Sequence, residues 1–207
     1  MRPSIESVAA ACKGVGRLFI EDHLSRLDDP YFAAFDLADI AAHIKAVSAL
    51  GPGHPVEVLI SRRSPDSVEC TVIAFDYPAE FSLITGVLTG MGFGIESGDV
   101  FTYAPAGDGP PARATPRRFR RQAADTRAAT LRRRKIVDRF TGTIAASGSY
   151  EAWRDDLRRR LAEVVGLLEE GSADGVSRAK NSVNERVIKK YMCFFICFRF
   201  YTLETNV

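Results

Sequence analysis

Cysteine and histidine are scarce in this 207-residue chain, and the few present are poorly placed for chemistry. The four cysteines, Cys12, Cys70, Cys193 and Cys197, show no CxxC spacing and no histidine neighbours, which argues against a metal site or a disulfide framework. None of the three histidines, His23, His43 and His54, has a serine, cysteine or acidic partner at a spacing that would activate a nucleophile. His43 reads as a packed helix residue, His23 and His54 as solvated ones beside helix ends. Long apolar runs are missing too. The longest, 192–198, is seven residues, against roughly 20 needed to cross a bilayer. The first 24 residues interrupt every apolar stretch with a charge, so they do not read as a signal peptide. The expectation is a cytoplasmic protein in a reducing setting, with no membrane partner and no cofactor.

A charge of one sign is also lacking. Basic and acidic residues number 28 and 26, for a net charge of +2. Locally the balance breaks: residues 113–134 hold nine arginines (113, 117, 118, 120, 121, 127, 132, 133 and 134) against the single acid Asp125. Nine phosphate contacts would give steeply salt-dependent nucleic-acid binding. Phe119 is the only interleaved aromatic for base stacking, so the segment reads first as a solvated linker. Paired acids for two-metal chemistry are missing as well: Asp155 and Asp156 are adjacent on a helix and point about 100° apart. The G-x-G at Gly92-Phe93-Gly94 ends a helix and enters a strand, the reverse of a dinucleotide fingerprint.

What is present is a regular alternation of elements. Residues 4–27 carry Ile5, Val8, Ala9, Cys12, Val15, Leu18, Phe19 and Leu24 near a 3.6 period, which predicts one helix weakened by Gly14 and Gly16 and stopped by Asp28-Asp29-Pro30. A second helix is predicted from an Asp36 N-cap to Leu50, with a buried stripe of Leu37, Ile40, Ala41, Ile44, Val47 and Leu50. Strands are predicted at 56–61 and 68–75, the latter near-continuous in apolar residues as a central strand would be. An amphipathic helix starts near Pro78, a position suited to its missing N–H, and buries Phe81, Ile84, Leu88 and Met91. Gly92 closes it and residues 93–103 return as a strand. After the Pro-, Gly- and Arg-rich stretch 104–134, a β-branched strand runs over 135–144. Ser149 then caps a helix from Tyr150 to about Glu170, with Trp153, Leu157, Leu161, Val164, Val165 and Leu168 on its buried side and Gly171 and Gly175 as breakers. The tail 188–207 changes character abruptly; both a buried terminal strand and translation past a frameshift account for it.

The stretch VIAFDYPAEFSLITGVLTGMGFGI, residues 72–95, resembles the ACT domain, whose usual turn is Asp-x-Pro-Gly followed by an apolar helix. Upstream, YFAAFDLADIAAHIKAVSAL resembles the Tyr…Ile-Ala-x-His helix that precedes the paired ACT domains of the bacterial protein-PII uridylyltransferases (uridylyl-removing enzymes). Downstream, KIVDRFTGTI resembles their Asp-x-Phe strand, and AKNSVNERV their segment leading to the next ACT unit. The resemblance covers roughly residues 30–190, with gaps. It implies an α+β, ferredoxin-like βαββαβ (ACT) unit that lacks or substitutes its fourth strand, preceded by an N-terminal helical pair. The organisation that follows is a helical segment at 1–55, an ACT-like domain at 56–103 and 135–187, an inserted linker at 104–134 and the aberrant tail at 188–207. No catalytic domain of those enzymes is represented.

The function implied is regulatory and non-catalytic: amino-acid sensing in nitrogen metabolism, with glutamine the candidate ligand and another ACT unit or a catalytic domain as partner. By the same resemblance, the ligand sits at the turn Asp76, Tyr77, Pro78, Ala79 and Glu80, held by main-chain groups of Tyr77 to Glu80. Asp76 has a second reading, as a cap of the following helix. Asp138 and Phe140 are expected to pack. Ala79 departs from the family's turn glycine, and the loop after the second strand is far longer than usual. The competing reading is a truncated fragment, or an interaction module that holds nucleic acid or an acidic partner through its arginine-rich linker.

Overall fold

The computed structural model describes residues 2–65, 67–106, 129–144, 149–171 and 173–183. Most of the arginine-rich linker, residues 145–148 and the whole 188–207 tail lie outside the described residues, as do residues 184–187 of the AKNSVNERV segment. In the described chain, helices α1 (Ile5–Ala11), α2 (Arg17–Arg26), α3 (Asp29–Ala34) and α4 (Leu37–Ala49) precede strands β1 (Val56–Arg62) and β2 (Val68–Phe75). Helix α5 (Glu80–Gly90), strands β3 (Phe93–Thr102) and β4 (Lys135–Ile144), and helices α6 (Tyr150–Glu169) and α7 (Ala173–Ser182) follow.

The four strands form one antiparallel sheet in the order β1-β2-β4-β3. Strands β2 and β3, joined by α5, both run antiparallel to β4 and so parallel to each other with β4 between them. This split β-α-β arrangement makes the protein α+β and is compatible with a ferredoxin-like fold. Among the described residues no strand follows α6. The edge place beside β2 is taken instead by β1, from upstream, through seven paired positions between Val56↔Ala74 and Arg62↔Val68. With β1 the sheet is four-stranded.

Both faces of this sheet are covered, which is why β2, apart from Glu69 and Thr71, is a run of apolar residues. On one face Val68, Cys70, Val72 and Ala74 of β2 and Ile136 and Phe140 of β4 pack against Leu83, Ile84, Val87 and Leu88 of α5 and the expected stripe of α6. On the other, Ile73, Phe75 and Val137 pack against α1, α2, α3 and α4. The caps named from sequence form: Asp36 Oδ1 accepts the Asp39 N–H at 2.8 Å, and Ser149 Oγ accepts the Ala152 N–H at 3.1 Å. Trp153 fixes α6 to the end of α5 by donating from Nε1 to the Met91 carbonyl at 2.8 Å.

Five expectations need correction. The predicted helix over 4–27 is two helices, because Gly14 adopts a left-handed φ of 87° and Gly16 restarts the chain as the N-cap of α2. That resets the helical phase and leaves Leu18 63% exposed. Asp28-Asp29-Pro30 stops α2 and also starts α3, with the proline in its first turn. Leu37, placed in the buried stripe of α4, is 39% exposed. Helix α7 runs through Gly175, which therefore breaks nothing. His23 is fully buried rather than solvated.

That last correction exposes what fastens the helical layer to the sheet. Tyr103 OH lies 2.5 Å from His23 Nδ1, His23 Nε2 lies 2.7 Å from Tyr31 OH, and Tyr31 OH lies 2.8 Å from His43 Nδ1. Two proton arrangements satisfy this chain. In one, each hydrogen points from Tyr103 toward His43; in the other, all three reverse. Neither needs a charged imidazole, and burial lowers both histidines, His43 to about 4. Arg26 and Lys135 do comparable work at the edge: Arg26 donates to the carbonyls of Ala104 and Leu131 at 2.7 Å each, and Lys135 Nζ meets Asp22 Oδ2 at 3.2 Å. The chain thus leaves β3 and returns to β4 at one pinned point on α2.

Backbone proximity dictates one residue outright. A Cβ on Gly142 would stand 2.1 Å from the Gly94 carbonyl oxygen of the neighbouring strand, whereas one on Gly166 of α6 would meet nothing within 4 Å. Gly142→Ala should therefore cost about 2–3 kcal/mol in urea unfolding by forcing β3 and β4 apart. Gly166→Ala should instead stabilise by about 0.5–1 kcal/mol through helix propensity. Equal effects of the two substitutions would contradict this packing.

Candidate ligand site at the turn before the fifth helix

The chain leaves the buried end of β2 at Phe75 and must turn sharply to lay α5 back over the sheet. It does so at Asp76–Glu80, with Ala79 as the N-cap of α5 at φ 64°, ψ 8°. This is the one non-glycine residue with positive φ among the described residues. The left-handed region costs an L-residue about 1–2 kcal/mol, whereas glycine adopts it freely.

Asp76 does not cap the helix. Its carboxylate pairs with Arg134, Oδ2 to Nε at 3.3 Å, and its N–H donates to the Arg134 carbonyl at 3.0 Å. Helix α5 starts at Glu80 rather than near Pro78, and the capping work passes to Glu80 itself. Its Oε2 reaches back to accept the Tyr77 N–H at 3.0 Å, while the Glu80 N–H donates to the Tyr77 carbonyl at 3.2 Å. The main-chain donors of Asp76, Tyr77 and Glu80 are thus engaged within the chain, and Pro78 has none.

Beneath the turn lie two buried carboxyls, Glu80 at 3% and Asp138 at 1% exposure. Asp138 is central in β4, opposite Val72 on one side and Val100 on the other, and takes an N–H from Phe101. Glu80 Oε1 and Asp138 Oδ1 have no hydrogen-bond partner among the described residues. Burial, reinforced at Glu80 by the charges of Asp138 and Asp76, raises Glu80 to about 9; burial and Asp76 raise Asp138 to about 8. Near neutrality both are carboxylic acids. Phe140 packs as expected, fully buried and 6.0 Å from Phe81 ring to ring.

Above the turn lies a groove of about 400 Å³ lined by Tyr77, Pro78, Arg133, Leu168, Glu169 and Gly171. Arg133 and Glu169 face each other across it as a two-pronged pair, Nη1 to Oε1 at 2.9 Å and Nη2 to Oε2 at 2.8 Å. Tyr77 OH completes the cluster: it donates to Glu169 and accepts from Arg133 Nη2 at 3.0 Å. The guanidinium stacks 3.6 Å above the ring of buried Phe75, and its hydrogen bond to Glu169 holds that carboxyl below its ordinary value.

Of the residues named from sequence, Tyr77 and Pro78 line this groove. Asp76 and Glu80 brace the turn from outside and beneath, and Ala79 supplies its geometry. Arg133 and Glu169 carried no local signal, being 36 residues apart and brought together by the fold. Arg133 and Arg134, from the end of the arginine cluster, are committed to Glu169 and Asp76. Elsewhere, Asp155 and Asp156 pair with arginines on the outer face of α6, and exposed His54 meets Glu57 at 2.8 Å. No group of three or more His, Cys, Asp or Glu suited to a metal ion occurs among the described residues, and no described helix is long and apolar enough to cross a membrane. A scan against protein-family models finds no match to this chain, and a search of curated proteins finds no relative.

Two outcomes follow from the turn. Replacing Ala79 with glycine should raise stability by about 0.5–1 kcal/mol in urea titration, the reverse of the usual Ala→Gly effect, because the left-handed φ is relieved. The buried carboxyls set a pH dependence. The folded groups keep their protons to about 8 and about 9, whereas their ordinary values are 3.8 and 4.5. Across that interval the folded state binds more protons than the unfolded state, so stability falls as pH rises. The buried histidines act with opposite sign, but only below their ordinary 6.5, where the unfolded chain binds the extra protons. Between about pH 7 and pH 8 the carboxyls govern, each contributing a loss of up to about 1.4 kcal/mol per pH unit. Urea midpoints should drop over that range, and Asp138→Asn should flatten the decline; a pH-independent midpoint in the wild type would refute the assignment.

Proposed function

We propose that this chain is a non-catalytic regulatory module of the ACT type that binds a small amino acid at the turn before α5. The observation that carries the reading is the groove bounded by Tyr77 and Pro78, which opens over the turn of a split β-α-β sheet where the sequence resemblance puts its ligand. The buried polar chain supports it from another direction. Tyr31 and His43, the Tyr and His of the resembling upstream helix, are hydrogen-bonded at 2.8 Å. In this reading β1 takes the edge position of the ACT unit's fourth strand.

The mechanism is a population shift. A ligand that prefers one arrangement of the turn, or one pairing with a second ACT unit, biases a catalytic partner by its difference in affinity for the two states. Glutamine is the first ligand to try. It should raise the melting temperature in proportion to the logarithm of its concentration above Kd, and Asp76→Ala, which removes the side-chain pairing of the turn with Arg134, should abolish the rise. A flat response to all twenty amino acids overturns the reading.

A further inference from the structure

The groove contains one cation and one anion, already paired with each other. A lone anion bound to Arg133 would strand the Glu169 carboxylate, whose side chain is only 25% exposed; a lone cation bound to Glu169 would strand Arg133. Either exchange leaves a partly desolvated charge without its counterpart, which offsets much of what the new contact returns. A ligand with a carboxylate and an ammonium on the same carbon replaces both partners at once.

We infer that the Arg133–Glu169 pair is the head-group clamp of the groove, and that it opens to take the zwitterionic head of an α-amino acid with an uncharged side chain. The inference rests on the amino-acid-binding reading above and goes beyond it. It assigns recognition of the charges to two side chains rather than to the main chain of the turn, whose donors at Asp76, Tyr77 and Glu80 are occupied.

The two halves of the clamp differ in freedom. Arg133 is fixed from below by its stacking on Phe75, so its fork stays where it is and receives the ligand carboxylate. Glu169 is the last residue of α6, at the end of the helix where the macrodipole disfavours an acid. It is held there by Arg133 and Tyr77, and it is the member that swings out to meet the ammonium. Tyr77 OH, which touches both, can transfer its hydrogen bond from Glu169 to the incoming carboxylate. The remaining walls, Pro78, Leu168 and Gly171, carry no charge for the ligand's side chain.

The test is isothermal titration of the full chain with glutamine, its α-amide (cation only), N-acetylglutamine (anion only), glutamate and inorganic phosphate. The expected result is binding of glutamine at least about tenfold tighter than of any of the other four. The single variants should shift charge selectivity in opposite directions. Glu169→Gln should gain N-acetylglutamine binding relative to glutamine, and Arg133→Gln should gain α-amide binding. A merely structural pair would weaken all ligands alike, and unliganded melting curves show whether each variant is folded. If glutamine binds and neither variant alters its preference, the clamp is wrong and the ligand sits elsewhere on the turn. If phosphate or N-acetylglutamine competes equally in the wild type, the groove is an anion site and the clamp again fails. If none of the twenty amino acids binds, the functional reading falls with it.

Discussion

The antiparallel pairing of β2 with β4, from Val68 opposite Gly142 to Phe75 opposite Lys135, runs through the middle of the molecule, and both of its faces must be kept from water. One face is covered by elements that follow β2 in the chain, the other by elements that precede it. Neither layer is dispensable, since stripping either would expose a row of β-branched and aromatic side chains at about 25 cal/mol for each Å² uncovered. The upstream helices are therefore part of the sheet's core rather than an appended segment. Strand β1 belongs to the same logic: by pairing with β2 it keeps one long side of the central strand from presenting unpaired backbone groups.

Apolar burial holds the helical layer on, but hydrogen bonding decides its orientation. Tyr103, His23, Tyr31 and His43 form a buried chain whose members come from the end of β3 and from α2, α3 and α4, so each element is located relative to the others by a directional contact. A wholly apolar interface of the same size could slide; this one cannot without leaving buried polar atoms unmade. Arg26 and Lys135 add the constraint that both ends of the arginine-rich excursion meet at α2, which lets a long insertion leave the sheet undisturbed.

What was legible in the sequence is what local physics dictates. Val68–Phe75 read correctly because burial on both faces leaves a near-continuous apolar run, Lys135–Ile144 because of its β-branched residues, and Ser149 and Asp36 because a cap is a contact three residues long. The α+β class followed from the order of elements. What was not legible depended on distant partners. His23 looked solvated because its partners are eight and eighty residues away, and Gly175 looked like a breaker because α7 is stabilised by packing against α6 rather than by propensity. Arg133 was hidden inside a charge cluster whose bulk composition suggested a solvated linker. The start of α5 was misplaced by two residues because Glu80, not Asp76, satisfies the turn's free N–H.

Several unfavourable terms gather at one place, although a third unpartnered buried atom, Arg26 Nη2, lies apart from it on α2. A left-handed alanine, two buried carboxyls with an unpaired oxygen each, and an acid at the wrong end of a helix all fall within or around the turn between β2 and α5. Stability alone does not account for such a gathering, because each feature has a simple cheaper alternative: glycine at 79, an amide at 80 or 138, a basic residue at 169. The acid at 169 becomes favourable only through Arg133, and Arg133 is aligned only because Phe75 ends the central strand beneath it. The same β2 that organises the core therefore sets the geometry of the groove. A ligand that pulled Glu169 from Arg133 would act on the junction where α6, the turn and the sheet meet, which is where a small local exchange of partners has the most structure to move.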